Sequence, residues 1–298
     1  MGAVKPKRAL VIGGVNMDIG GSPVNKLIMR DSNPGIITAR PGGVGRNIAH
    51  DMSLLGLEVS LIAAIGDDVY GHGILTSCAE LGLDLSLARV LPDMRTSTYL
   101  YVTDETGDME LAISDMEIVK CITPDYVARH IEAVNSFDAV VLDANLEAET
   151  IEYVAAHCTA PIYADPVSTA KALRFLPVLD KLTALKPNIY EAERLTGEID
   201  PERAARKLVE HGVKRVFISL GEEGMLAADK NELVKLPREY VTVVNTTGAG
   251  DAATAAIVWA GLNGLSLYDS ARAAVKAGAI TSTCVAANNP ELSADKLR

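Results

Sequence analysis

Short apolar runs alternate along the chain with longer stretches of helical periodicity. The runs predict buried strands at residues 9–12, 59–65, 139–142, 162–164, 182–185 and 216–219. Between and after them, apolar positions recur at helical spacing and predict helices at 45–55, 73–81, 124–135, 148–157, 189–196, 201–211, 249–262 and 267–284. Strands that alternate with helices predict an α/β fold, with a central and mostly parallel sheet flanked by helices.

Two segments break this rhythm. Residues 24–40 and 96–113 alternate apolar and polar positions without an intervening helix, and residues 103–108 (TDETGD) are typical of a hairpin turn. They predict a small antiparallel β lid built from insertions at about 22–40 and 96–114. Because no linker, repeat or low-complexity stretch divides the sequence, all 298 residues are expected to form one domain.

Composition and charge narrow the class of protein. The chain is 48% hydrophobic and 22% charged, which is typical of a globular protein, and its formal charge of −11 disfavours nonspecific nucleic-acid binding. No apolar run reaches the roughly 20 residues of a membrane span, and the N-terminal run is too short for a secretion signal. The four widely spaced cysteines are expected to be reduced thiols of a cytoplasmic protein.

The strongest chemical motif runs from Asn245 to Asp251 (NTTGAGD), before the alanine-rich helical pattern near the C-terminus. Gly248 and Gly250 permit unusual backbone angles and a close approach of ligand to backbone. The first amides of a helix are unpaired and attract anions, so those around Ala249 can hold a phosphate. Asp251, in the first turn, can accept a proton from a substrate hydroxyl.

Two other interpretations of this motif remain. Asp251 can serve only as a favourable acid at a helix N-terminus, with the glycines needed for packing. Residues 248–253 also fit the G-x-G-x-x-A pattern of dinucleotide sites. That pattern requires an acid at the end of a second strand about 20 residues later, and Asp269 instead begins a helical pattern.

A second glycine-rich turn, residues 41–47 (PGGVGRN), opens another helical pattern. It lacks the Lys and Ser/Thr of a P-loop, so it does not predict a Walker-type nucleotide site. Gly42 and Gly43 can let the backbone approach a sugar, and Asn47 can offer its amide. Taken alone, the turn is explained equally well by a structural role.

Acids and amides follow several predicted strands, at the sheet edge where α/β proteins bind ligands. Asp18 can accept hydrogen bonds from the vicinal hydroxyls of a ribose, or can cap its own loop. Asn188 and Glu191 are three residues apart on a predicted helix and suit water-mediated Mg²⁺ binding, or plain helix capping. Asp165 ends a strand and is either structural or a supporting acid, and residues 219–224 indicate only a turn.

In this order, the motifs resemble those of the ribokinase-like (PfkB) sugar and nucleoside kinases over nearly the whole chain. The resemblance implies a ribokinase-like α/β fold with a small β lid, and ATP and Mg²⁺ as cofactors. It makes Asp251 the catalytic base, the segment Gly248, Ala249 and Gly250 the anion hole, and Glu191 an indirect, water-mediated metal contact. Implied cofactor contacts are Lys186, Asn188, Ser219, Gly221, Gly224, Thr247 and Asn288. Implied substrate contacts are Asn16, Asp18, Gly42, Gly43, Asn47 and Asp165, with the polar lid residues Ser32, Asn33, Thr98 and Asp115 as candidates for reading a base.

Finer details, at residues 31–35, 43–49, 115–116, 165–168 and 288–290, resemble the pseudouridine kinases of this family. They imply phosphoryl transfer from ATP to the 5′-hydroxyl of pseudouridine. Ribokinase, adenosine kinase and uridine/cytidine kinase activities remain alternatives, as does a non-catalytic nucleoside sensor.

Two positions depart from the family pattern. Arg46 differs from the ribokinase pattern and disfavours free ribose as substrate. Asn245 stands where many members have an Asp linked to a monovalent-cation site, which leaves potassium dependence open. The exposed lid strands form an edge that a second copy can cover, so a homodimer is expected.

Overall fold

A computed structural model describes residues 6–298, and the first five residues of the predicted domain lie outside the described part. The strands are β1 (Arg8–Ile12), β2 (Asn16–Pro23), β3 (Gly35–Gly42), β4 (Glu58–Ile62), β5 (Ala64–Gly66), β6 (Arg89–Leu91), β7 (Thr98–Thr103), β8 (Met109–Asp115), β9 (Ala139–Asp143), β10 (Ile162–Asp165), β11 (Leu182–Leu185), β12 (Arg215–Ser219), β13 (Met225–Asp229) and β14 (Leu233–Leu236). The α-helices are α1 (Val44–Leu54), α2 (Val69–Glu80), α3 (Pro124–Ala128), α4 (Ile131–Val134), α5 (Ala148–His157), α6 (Thr169–Ala172), α7 (Ile189–Thr196), α8 (Pro201–Glu210), α9 (Ala249–Leu262), α10 (Leu267–Ser282) and α11 (Ala294–Leu297). Three 3₁₀ helices cover Glu117–Cys121, Leu173–Lys181 and Gly221–Glu223.

The main sheet has eight strands within residues 6–298, in the order β14-β13-β12-β11-β10-β9-β1-β4. All neighbouring pairs from β4 to β12 in this order are parallel, whereas the pairs β12–β13 and β13–β14 are antiparallel. Alternate residues of β1 enter two apolar layers: Ala9 and Val11 pack on the side of α1, α2, α9 and α10, and Leu10 and Ile12 pack on the side of α3 to α8. Burial on both faces explains why the parallel strands are continuous apolar runs.

The predicted fold class is confirmed, although several boundaries differ. The strand predicted at 59–65 divides into β4 and β5, because β5 leaves the main sheet to pair with β6. The helix predicted at 124–135 divides into α3 and α4, and the hairpin of β13 and β14 was not predicted. Within residues 6–298, no helix combines the length and apolarity that a bilayer crossing requires.

The lid is a separate four-stranded sheet in the order β3-β2-β7-β8. It begins at Asn16, earlier than the predicted 22, and β7 and β8 form the predicted hairpin, whose turn is held by Asp104 Oδ1 accepting from the Thr106 and Asp108 amides. Its central pair, β2 and β7, is parallel, since the chain crosses the main domain between β3 and β7. The lid is therefore mixed and not wholly antiparallel.

Candidate active site

The carboxyl ends of the central parallel strands meet the N-termini of α1 and α9. After β1 the chain runs to the lid and then to β4 on one side, whereas β9 lies on the other side, so the strand order switches at β1. Open α/β sheets bind ligands outside such a switch point. Most of the polar residues singled out in the sequence lie around this edge.

The turn at the N-terminus of α9 has a backbone conformation that requires glycine and leaves amides without acceptors. Gly248 is its N-cap at φ 83°, and a Cβ there would lie within 1.9 Å of the Ala287 carbonyl oxygen, so glycine is required. The Ala249 amide donates to Thr246 O, and the intrahelical pattern begins with Ala252 N donating to Gly248 O. The amides of Gly250 and Asp251 therefore have no acceptor within the helix, and they suit an anion.

Asp251 lies in this first turn and contacts the second glycine motif directly. Asn47 Nδ2, from α1, donates to Asp251 Oδ2 at 2.9 Å. Burial raises the pKa of Asp251 to about 7, with a further contribution from Asp165, while the Asn47 bond and the Lys186 ammonium act in the opposite direction. A carboxylate with such a pKa is suited to accept a proton near neutral pH.

Lys186 and Asp165 form a buried ion pair beneath the α9 turn, with Nζ 3.1 Å from Asp165 Oδ2. Burial opposes the charge of Lys186, but Asp165, Glu191 and Asp251 together raise its pKa, so it remains protonated. Thr254 also donates to Asp165 Oδ2 at 2.7 Å. A Cβ at Gly250 would lie only 3.0 Å from Nζ, so glycine keeps open the space beside the ammonium. The ammonium and the free amides together fit a phosphate-bearing ligand.

Asn188 and Glu191 form a reciprocal capping box at the start of α7. The Asn188 amide donates to Glu191 Oε2 at 2.8 Å, and the Glu191 amide donates to Asn188 Oδ1 at 2.9 Å. The helix-start interpretation thus holds for both residues. Burial raises the pKa of Glu191, and Asp165 adds to this, whereas the Asn188 amide and Lys186 lower it. Among residues 6–298, no three or more His, Cys, Asp or Glu side chains are grouped so that they could hold a metal ion.

Ser219 lies beside this box, because it forms an isolated bridge with Asn188. Gly221 and Gly224 have positive φ in the turn between β12 and β13, and a Cβ at Gly224 would meet the Leu236 carbonyl at 2.1 Å. These glycines therefore shape the turn whatever ligand lies there.

The residues predicted to contact a sugar, called the sugar-side residues below, cluster around the turn before α1. Asp18 lies over Gly42, where a Cβ would meet Asp18 Oδ2 at 2.0 Å, and Asn16 Nδ2 donates to Asp18 Oδ1 at 2.5 Å. Gly43 has φ 97° and packs against Gly14. Burial raises the pKa of Asp18, while the Asn16 bond and the Arg46 charge lower it. This carboxylate is only half-buried, and Asn16 is its one side-chain donor among residues 6–298.

Some predicted contacts lie elsewhere. Thr98 pairs with Met17 on one neighbouring strand and with Asp115 on the other, and paired residues point to the same face of a sheet. Asp18 follows Met17 in β2 and points to the other face, so Thr98 and Asp115 lie on the lid face opposite Asp18. Ser32 is exposed in the loop between β2 and β3.

Two further predicted contacts are bonded to other parts of the protein. Thr247 is exposed, and its amide donates to Asn245 Oδ1. Asn288 is buried and uses both amide protons, on Asn47 O and Asp51 Oδ1. It supports α1 from behind, so its predicted cofactor contact has no free donor.

The sequence interpretation missed a polar group at the end of β9. Asp143 is fully buried and accepts from the amides of Gly14 and Asn145, each at 2.8 Å. Burial raises its pKa to about 6. Lys171 Nζ donates to Asn145 Oδ1 at 2.7 Å. The signal that identified Asp165, an acid at the carboxyl end of an apolar strand, applies equally to Asp143.

Comparison with known proteins agrees with this geometry. The model of the pfkB family carbohydrate kinases matches residues 7–294. The pseudouridine kinase of Escherichia coli (strain K12) is 35% identical over 95% of this chain and 93% of its own. The guanosine-inosine kinase of Exiguobacterium acetylicum is 28% identical over 90% of each chain. An E. coli protein named ribokinase II, solved with ATP and Mg²⁺, superposes with a TM-score of 0.86 at 19% identity, over 98% of this chain and 97% of its own.

Proposed function

Since the chain belongs to the pfkB family of carbohydrate kinases, we propose that it transfers a phosphoryl group from ATP to the 5′-hydroxyl of pseudouridine. The observation that carries this proposal is the hydrogen bond from Asn47 to Asp251, which joins the two glycine motifs across the chain. It sets a proton acceptor and an anion-binding helix turn beside the sugar-side residues. Similarity to the E. coli pseudouridine kinase supports the choice of nucleoside.

In this reaction, Asp251 takes the proton from the attacking hydroxyl while the free amides of Gly250 and Asp251 stabilise the equatorial oxygens of the migrating phosphoryl group. Asp18 and the Gly42–Gly43 backbone hold the ribose, and Asn47 orients Asp251. Lys186 neutralises phosphate charge from beneath the turn. Mg²⁺, when bound, screens the phosphate charges, and Glu191 supports its water shell.

A substrate panel tests this proposal. With ATP and Mg²⁺, the protein is expected to give the highest kcat/KM on pseudouridine among pseudouridine, uridine, cytidine, adenosine, inosine and ribose. A preference for ribose or for a purine nucleoside would favour the ribokinase or guanosine-inosine kinase activities of its relatives. Tight nucleoside binding without turnover would favour a sensor.

The proposal extends to assembly. One lid face is apolar: Leu100 pairs with Ile113, and Val102 pairs with Leu111. On the same face, Ile37 is 79% exposed and Ile113 is 66% exposed. A monomer rarely exposes such a patch, so a homodimer formed through this face is proposed, in place of the strand edge suggested by the sequence.

Two other features belong to the proposal. A cytoplasmic location follows from the choice of substrates. A weaker dependence on potassium is proposed because Asn245 offers no carboxylate to a cation, and its Nδ2 donates to the Val285 carbonyl at 2.9 Å.

A further inference from the structure

The proposed transfer does not use two polar side chains beside the sugar site, Asn145 and Lys171. Asn145 follows the end of β9 and is 8% exposed. Its Nδ2 lies against Gly14, where an added Cβ would be 2.7 Å away. Lys171 lies in α6, after β10, and is partly buried. These residues therefore occupy the cleft edge at the ends of three neighbouring strands.

Lys171 fixes the orientation of the Asn145 amide. Its Nζ donates to Asn145 Oδ1 at 2.7 Å, so the opposite orientation would set two donors against each other. The main chain is fixed as well, because the amides of Asn145 and Gly14 both donate to the buried Asp143 carboxylate. The Asn145 side chain also donates to the buried Asp143 carboxyl and thereby lowers its pKa, which engages one of the two Nδ2 protons. The second Nδ2 proton remains for an acceptor that enters beside Gly14.

The turn that carries Asn145 presents only donors to the cleft. Arg174 Nη1 donates to the carbonyl oxygens of Ala144, Asn145 and Leu146, at 2.7 to 3.1 Å, and thereby removes them as acceptors. Burial lowers the pKa of Lys171, while Asp143 opposes this. Lys171 has further N–H groups beyond the one that bonds to Asn145. A ligand group that meets this surface must be a hydrogen-bond acceptor.

We propose that Asn145, positioned by Lys171, donates to a carbonyl oxygen of the nucleobase and selects oxo-bearing over amino-bearing bases. The inference rests on the proposed nucleoside kinase function and narrows its substrate class. Uracil has carbonyls at positions 2 and 4, whereas cytosine has an amino group at position 4. An amino group that faces these donors is itself a donor, so both it and the protein N–H groups lack a hydrogen-bond acceptor, which is costly in a buried site.

Two variants test the positioning, with kcat/KM on pseudouridine, uridine and cytidine as readout. Asn145→Asp replaces the donor by an acceptor and is expected to lower the uridine-to-cytidine ratio at least about tenfold. Lys171→Met frees the Asn145 amide to rotate and is expected to lower the uridine-to-cytidine ratio by a smaller factor than Asn145→Asp. This change should arise mainly from KM, with little change in kcat. The matched control is Lys207→Met on α8, because Lys207 is also partly buried and donates to a carbonyl, Thr196 O, at 2.6 Å.

The outcomes separate this inference from the proposed function. If the wild-type protein phosphorylates no nucleoside, the proposed function fails. If the wild type is active and both variants keep its uridine-to-cytidine ratio, the inference is wrong and the function stands. An equal loss on every substrate, with a lowered melting temperature, assigns the pair a structural role and also overturns the inference.

Discussion

At the scale of single residues, the pKa of Asp251 depends on a balance of opposing effects from burial and from neighbouring groups. Burial and the neighbouring Asp165 raise its pKa to about 7, while the Asn47 bond and Lys186 keep it from rising further. A general base works best when its pKa lies near the working pH. Asp18, which is also partly buried, keeps a bond to Asn16 and the nearby charge of Arg46, and is better placed to bind hydroxyls than to move protons.

Replacing the proposed base should lower the rate of phosphoryl transfer without weakening nucleoside binding. Asp251→Asn is expected to lower kcat by about 10²–10⁴-fold, because an amide cannot take the proton. The nucleoside KM should change little, since the amide keeps an oxygen for the Asn47 bond. Steady-state kinetics measure both, and near-wild-type turnover would remove Asp251 from this role.

The same pKa sets a pH dependence for the wild-type enzyme. Because the carboxyl is protonated below about pH 7, kcat/KM is expected to fall as the pH decreases through that value. Profiles over about pH 5.5 to 8.5 measure the change. A flat profile across neutrality would contradict a base with this pKa.

Asp18→Ala should act on one ligand only. Loss of the diol acceptor is expected to weaken nucleoside binding by at least about tenfold and to leave ATP binding nearly unchanged. Calorimetric titration of each ligand checks this. Asp108→Ala, at the exposed tip of the lid hairpin, is the control, and equal weakening of both ligands by Asp18→Ala would instead indicate a disturbed fold.

At the scale of elements, α1 joins the sugar-side residues to α9, which carries the proposed base. Its Asn47 contacts Asp251, and the Asn288 amide donates to both Asn47 O and Asp51 Oδ1. Arg46 completes the network by donating to Asn288 Oδ1 at 2.8 Å. Asp51 is fully buried and its Oδ2 has no partner within residues 6–298. Its pKa is raised well above the usual range by burial, with Asp251 adding to the shift.

This buried acid predicts a pH-dependent stability. A carboxyl with a raised folded-state pKa stabilises the fold while it is protonated, and that contribution is lost as the pH rises through the folded-state pKa. Asp51→Asn mimics the neutral form and can still accept from Asn288. The melting temperature of the variant minus that of the wild type is therefore expected to be larger at about pH 8 than at about pH 5.

Thermal unfolding at both pH values measures this difference. Asp93→Asn, at an exposed position, is the control and should show no such dependence. An identical difference at both pH values for Asp51→Asn would mean that the acid is ionised in the fold throughout.

Elements differ in how far the sequence predicts them. The central strands were predictable because burial on both faces makes them continuous apolar runs, as in β9. The break between β4 and β5 was not predictable, because Ala63 and the residues on both sides of it are buried and the apolar run therefore continues through the break. Among the site residues, the glycine motifs carry local sequence signals. The bond from Lys171 to Asn145 instead joins α6 to the turn after β9, and no local sequence pattern predicts that contact.

At the scale of the whole molecule, the lid has two different faces. The face that carries Asp18 also carries Tyr99 and Tyr101, whose ring centroids are 6.0 Å apart, and it continues the proposed sugar site. The opposite face is covered by the main domain only near its base, where Met17 is buried. Beyond that base its aliphatic side chains are exposed, so one sheet can bind substrate on one side and a second copy on the other.

Wild-type protein is accordingly expected to be a dimer at micromolar concentration, with twice the 31.6 kDa mass of one chain by light scattering. Ile113→Glu should shift it to monomer, because a two-fold interface buries the new carboxylate twice and a buried, unpaired charge is costly. Ile199→Glu is the matched control: this isoleucine is 75% exposed, and it lies in the main domain between α7 and α8. A monomeric wild type, or dissociation by the control as well, would contradict assembly through the lid face.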